Sequence, residues 1–194
     1  MTRHRHKAAT WCAIAALAVA LTGCGGEDNT HGGGQTTPTT QAAEPTKTTD
    51  PQEAEKAAVL AAYEGFTREE IKAYRKASME GTRLKDFATL DALSEIELDL
   101  MQMQEAGTVV RGDIGHEAKV TALNLKAKVP EATIKDCVDL SKYQTYDTKA
   151  KRVIPLPSEQ PLRYVAEVSA ERWDRGNRYG WMITDYEPHG EQKC

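Results

Sequence analysis

The stretch Glu117-Ala118-Lys119-Val120-Thr121-Ala122-Leu123-Asn124-Leu125-Lys126-Ala127-Lys128-Val129 decides how this chain folds. Ala118, Val120 and Ala122 are apolar at even positions, and Leu123, Leu125, Ala127 and Val129 then take over at odd ones. Strict alternation is the mark of a strand with one buried face, and a slip of one residue turns every side chain over. One extra residue near Ala122-Leu123 keeps both halves facing inward, so the spacing predicts a β-bulge there and a sharply bent strand.

Working outward, the C-terminal half continues the alternation. Thr108-Val109-Val110-Arg111 reads as a short strand, and Ala132, Ile134, Val138 and Leu140 define another. Leu162, Tyr164, Ala166, Val168 and Ala170 define a third, and a turn at Asp174-Arg175-Gly176-Asn177 leads to a last strand over 179–186. Residues 148–160, with Pro155 and Pro157, read as a loop.

Before residue 107 the period is helical. Asp50 can cap the orphan amides of a helix, Pro51 suits its first position and Glu53 its first turn. Leu60, Tyr63, Thr67, Ile71, Tyr74 and Ser78 follow at helical spacing, with Phe66 and Ala77 widening the stripe, so a helix is expected over 51–80, stopping at Gly81. Gly65 inside it should weaken or bend it. A short helical stretch over 84–88 bears Phe87. Thr89 then caps another helix with Leu90, Leu93, Ile96, Leu100 and Met103 on one face and Gly107 at its end. Helices followed by a bent, curled antiparallel sheet make an α+β layer architecture.

The N-terminus carries an address. Arg3, Arg5 and Lys7 precede an apolar run over about 8–21, too short to span a bilayer but suited to a signal peptide. It ends in Leu21-Thr22-Gly23-Cys24, which resembles the bacterial lipobox. The resemblance implies that residues 1–23 are cleaved and that Cys24 receives a diacylglyceryl group, an anchor to the outer face of the cytoplasmic membrane. Two acyl chains hold where one binds only marginally. Cleavage removes Arg3, Arg5 and Lys7 and no acid, taking the net charge from −4 to −7. An acidic domain is repelled by an anionic leaflet, so the lipid alone supplies attachment. Residues 24–50 are rich in Gly, Thr and Pro, with no aliphatic side chain larger than Ala. They cannot bury enough surface to offset the entropy of ordering, and read as a disordered tether with a reach of about 28 Å. Residues 51–194 form the folded domain.

Composition bounds the rest. The 194 residues, 40% hydrophobic and 28% charged, make one domain plus extra segments. With 2 Phe, 7 Tyr and 3 Trp, the core must lean on aliphatics. The mildly acidic balance argues against nucleic acid as partner. Cys12 leaves with the leader and Cys24 is lipidated, so Cys137 and Cys194 remain. In an oxidising compartment they most simply form one disulfide, the alternatives being free thiols or an intermolecular bridge through Cys194. No nucleophile elbow, phosphate loop or dinucleotide fingerprint occurs. His189, Cys194, Cys137 and His116 have no recognised zinc spacing, so neither metal nor other cofactor is expected.

The segments Leu84–Leu93 (LKDFATLDAL), Gln104–Gly112 (QEAGTVVRG), Ile134–Asp139 (IKDCVD) and Trp181–Asp185 (WMITD) together resemble secreted actinobacterial lipoproteins. Those carry a domain similar to the NTF2-like fold, a cone of helices closing the mouth of a curled sheet. The resemblance covers about residues 52–188 and implies no activity. Asp136 is the one catalytic candidate: alternation puts it on the face of Ile134 and Val138, pointing into the cone, where a carboxylate can serve as a general base. The plainer reading, which the sequence favours, is a strand end or bulge at Asp136-Cys137 that turns it to solvent. Tyr164 and Ile134 join it as pocket-lining candidates, Tyr164 as the natural donor to Asp136. His116 and His189 read as surface residues. Three function classes follow in order: a non-catalytic module binding another envelope component, a binder of a small hydrophobic ligand in the cone, and an enzyme. A homodimer paired through the sheet is a further expectation.

Overall fold

The structure, a computed structural model, describes residues 50–174 and 179–194, without the side chains of 174 and 179. The expected leader, lipidated Cys24 and most of the tether therefore lie outside the described residues, as does the body of the turn after Asp174.

Helix α1 (Pro51–Tyr74) begins where Asp50 accepts the Gln52 amide at 3.0 Å. Its buried stripe is Val59, Ala62, Tyr63, Phe66 and Ala73, at the i, i+3, i+4, i+7 spacing of one helical face. The helix ends six residues short of the expected 80. Ala77 takes a left-handed φ of 48°, Ser78 N donates to Ala73 O at 3.0 Å and Ala77 N to Tyr74 O at 3.3 Å. That is a Schellman closure with alanine where glycine is usual. Ala77 is buried, and its carbonyl accepts from Gln104 Nε2 at 2.6 Å, which holds the unusual conformation in place. Gly65 is not a bend but a slot. A Cβ there would stand 2.2 Å from Cε1 of Phe87, whose ring lies directly against the helix.

A short 3₁₀ turn, Leu84–Asp86, leads to α2 (Leu90–Ala106), which closes on Gly107 at φ 70°. The buried residues of α2 are Ala92, Ile96 and Leu100, while Leu90 stands 51% exposed. Leu93 and Met103 also pack against the core, so the expected face is the buried one except at Leu90. Leu90 opens the helix at a φ of 51°, directly after a segment in which Ile183 N donates to Phe87 O at 2.8 Å and Thr89 N to Ile183 O at 2.9 Å. The backbone of 87–89 is spent on a sheet edge, and Thr89 makes no side-chain cap.

Two antiparallel sheets follow. The larger runs β2 (Gly115–Asn124), β3 (Glu131–Asp139), β6 (Arg163–Asp174), β7 (Tyr179–His189), in that order. The expected bulge is present in β2, one residue earlier than read. Val120 pairs with Ile134 and Ala122 with Thr133, so Thr121 is the extra residue. A second bulge, not expected from the sequence, makes Thr184 the extra residue in β7. β2 stops at Asn124 rather than running to Val129, because the Asn124 side chain accepts the Lys126 amide at 3.2 Å and turns the chain. Leu125 still packs against the core.

The smaller sheet has the order β1 (Thr108–Arg111), β4 (Gln144–Asp147), β5 (Arg152–Ile154). β5 lies inside the segment read as a loop, which is corrected here. Asp147 Oδ1 accepts the Lys149 and Ala150 amides at 2.9 and 2.8 Å and closes a β4–β5 hairpin. All three β5 residues are exposed, so no alternation announced the strand. The fold is α+β, with α1 and α2 laid on a bulged antiparallel sheet and the core between them. Cys137 and Cys194 are bonded, their Cα atoms 5.8 Å apart, which ties the C-terminus to β3. Among the described residues no helix is long and apolar enough to cross a membrane.

Candidate functional site

Strand β3 alternates without a break: Ile134, Asp136 and Val138 are 0%, 1% and 1% exposed. The reading that turned Asp136 to solvent is therefore corrected. Ladder pairing is regular through Asp136↔Ala118 and Cys137↔Glu117, so no bulge intervenes. Burial of the carboxylate is offset by two donors. Tyr63 Oη donates to Asp136 Oδ2 at 2.8 Å, and His116 Nδ1 lies 2.6 Å from the same oxygen. Asp136 Oδ1 has no hydrogen-bond partner among the described residues. Tyr63 reaches down from the buried stripe of α1. His116 reaches across from β2, on the same sheet face and one diagonal step from Asp136, which pairs with Ala118. Tyr164, the expected donor, does not bond Asp136.

Burial, then the neighbouring Tyr186 and Asp136, pushes the Tyr63 phenol far above its ordinary range, so it stays protonated as a donor. The contact between His116 Nδ1 and Asp136 Oδ2 orients the imidazole and leaves Nε2 as the nitrogen not committed to the carboxyl group. The Tyr63 and His116 rings meet edge-on at 5.9 Å, which fixes the imidazole further.

His116 lies in the wall of two cavities. One, of about 330 Å³, is bounded by Leu60, Tyr63, Thr67 and Lys119. The other, of about 370 Å³, is bounded by Glu70 and Tyr74 from α1, Tyr143, Tyr164 from β6 and Tyr186 from β7. Ile114, Val138, Leu140 and Leu156 complete its apolar part. Glu70 is the residue that sequence reasoning missed. Burial pushes its carboxyl up to about 7, with Asp99 adding in the same sense against the opposing pull of His116 and the Tyr74 hydroxyl. The signal was present: Glu70 lies four residues from Phe66 and Tyr74 and seven from Tyr63, on the apolar stripe itself. Its neighbour Glu69 is buried, where Glu70 is half-buried, and is structural. Burial raises that carboxyl, yet Lys72 at 2.7 Å and the Arg83 amide at 2.9 Å outweigh it and hold it below the ordinary range.

Burial pushes the other phenols up as well. Tyr74 donates to Asp99 Oδ2 at 2.8 Å, and the Tyr164 and Tyr186 hydroxyls influence each other across the cavity. Of the expected pocket residues, Tyr164 lines the larger cavity, Asp136 sits behind His116, and Ile134 belongs to the core. His189 lines neither cavity and lies 3.5 Å from Glu191. Among the described residues no group of three or more His, Cys, Asp or Glu is placed to hold a metal ion.

No protein-family model matches the chain, and no curated protein matches it. Among solved structures it is similar to the crystal structure of the intermembrane space region of chloroplast protein ARC6. The identity is 14%, the match covers 73% of this chain and 98% of that one, and the TM-score of 0.44 is too low to carry an argument.

Proposed function

We propose that this chain is an extracytoplasmic lipoprotein, anchored through diacylglyceryl-Cys24, whose domain binds a small molecule in the larger cavity. The observation that carries the reading is the cavity of about 370 Å³ with Glu70, His116 and four tyrosines converging on it. Concave sites with a few placed polar groups on an apolar wall are the usual form of ligand pockets. The lining here is more polar than that, so it suits a polar ligand with an apolar part rather than a purely hydrophobic one. The lipobox Leu21–Cys24 supports the anchor, the Cys137–Cys194 bond suits an oxidising compartment, and the resemblance to NTF2-like lipoproteins supports a cone with an interior site. A concave pocket of this size favours a small ligand over an envelope protein as the thing bound.

The test is to capture the whole chain from detergent-solubilised envelope and analyse the small molecules released on denaturation. One species at stoichiometric ratio, absent from a Cys24-anchored control lipoprotein, is the expected result. An empty protein that also takes up nothing from a soluble envelope extract would refute the reading. Proton-transfer chemistry at His116 is a second reading, favoured by its 2.6 Å contact with Asp136. Release of a chemically altered ligand from wild type but an intact one from His116→Gln would favour it.

A further inference from the structure

The lining of the larger cavity is one-sided in charge. Among the described residues it includes no Lys or Arg. Glu70 stands in the wall, Asp99 reaches it through the Tyr74 hydroxyl, and Asp136 lies directly behind His116, the one basic group present. Glu70 in the wall and Asp136 behind it thus flank a single imidazole whose Nδ1 is already committed.

The tyrosines complete the picture. Tyr74 has its hydroxyl engaged by Asp99, and the Tyr164 and Tyr186 hydroxyls act on each other. Beside those hydroxyls, these residues bring ring surface to the cavity. Aromatic rings carry negative charge on their faces and attract cations, most strongly where water is excluded. Rings from α1, β6, β7 and the segment carrying Tyr143 bound the same space.

We propose that this cavity takes a free organic ammonium ion, its charge met by the Glu70 carboxylate and its alkyl groups by Tyr74, Tyr143, Tyr164 and Tyr186. The proposal rests on the ligand-binding reading and names the ligand's class. It carries a pH signature. The groups facing Glu70 are Tyr74 on its own helix, Asp99 on α2, His116 on β2 and, through space, Tyr63, Tyr164 and Tyr186, with Tyr143 in the same cavity wall. With burial and Asp99 holding the Glu70 carboxyl up to about 7, a cation that needs the carboxylate must displace its proton. Affinity therefore rises with pH through that range, even for a ligand that does not itself titrate.

Choline and its uncharged isostere 3,3-dimethyl-1-butanol separate charge from shape, and titration calorimetry on the whole chain reads both. Choline should bind at least about ten-fold more tightly than the alcohol, and more tightly at pH about 8 than at about 5.5. Glu70→Gln, which keeps the shape and removes an unfavourable buried charge, should lose about ten-fold and the pH dependence with it. Phosphocholine tells a free cation from a lipid headgroup: its phosphate finds no Lys or Arg among the described lining, so it should bind more weakly than choline. Binding of the alcohol or of phosphocholine as tight as choline overturns the proposal while leaving a ligand pocket in place. Tyr164→Leu supplies a second check with Glu70 intact, since it should weaken choline more than the alcohol; equal losses would overturn the cage. No binding of any probe, in a chain that also yields no bound molecule from the envelope, refutes the pocket itself.

Discussion

Replacing Asp136 by Ala removes the one acceptor that Tyr63 Oη and His116 Nδ1 share. Tyr63 is 1% exposed, so its hydroxyl is stranded without water, at a cost of about 1–3 kcal/mol. His116 is half-buried and recovers part of its loss by rehydration, which adds about 1 kcal/mol. Against this, the unpartnered buried Oδ1 is removed, a relief of about 1 kcal/mol. The sum is a destabilisation of about 1–3 kcal/mol, read as a lower urea midpoint at unchanged slope. Asp136→Asn keeps an acceptor for both donors and puts its amide where Oδ1 stood, so it should stay within about 1 kcal/mol of wild type. Tyr63→Phe combined with Asp136→Ala should cost less than the two changes added, because the second has already lost its partner. An Asp136→Ala protein within about 0.5 kcal/mol of wild type would place the carboxylate at the surface and refute the network.

Glu70→Gln should flatten a pH dependence. The folded carboxyl holds its proton up to about 7 against an ordinary 4.5, so wild type is most stable below that window and loses stability as pH rises through it. The glutamine variant should not, and thermal melts at pH about 4 and about 8 check it. Gly65→Ala sets a gain of about 1 kcal/mol in helix propensity against overpacking of about 1–3 kcal/mol where the new methyl meets Phe87. Net loss of stability, relieved by adding Phe87→Leu, is expected in denaturant melts. Breaking the Cys137–Cys194 bond, 57 residues apart in sequence, by the paired Ser substitution should cost about 4 kcal/mol in the chain-entropy account, measured by urea unfolding. Cys24→Ala should move the chain from the membrane to the soluble fraction on cell fractionation.

Much of this architecture is legible in the sequence because its signals are periodic and local. The slip from even to odd apolar positions marks the bulge to within a residue of Thr121, and Gly107 closes α2 as its place after the stripe requires. What escapes the sequence depends on distant partners. The exposed β5 shows no pattern, because it is held by backbone pairing with β4 alone. Gly65 looks like a helix defect until Phe87 is placed against it. The end of α1 shifts because buried Ala77 accepts a left-handed turn that glycine at 81 would otherwise be expected to supply.

The candidate site follows the same division. Alternation alone places Asp136 inward, and the general cost of burying a carboxylate argues for the opposite. The donors that resolve the conflict are Tyr63, on a helix 73 positions away, and His116, on the neighbouring strand. Neither contact has a local signature. Glu70 does have one, since an acid in line with Phe66 and Tyr74 on an apolar stripe is out of place on a purely structural helix.

The central claim, that the larger cavity is the binding site, is tested most directly by filling it. Leu156 is half-buried in the segment after β5 and lines the cavity without carrying any of its polar groups. The measurement is a choline titration of Leu156→Trp beside wild type, with melting temperatures recorded for both. Retained stability with binding weakened at least about ten-fold is the expected result. Unchanged affinity in a folded Leu156→Trp protein would put the ligand elsewhere and contradict the claim.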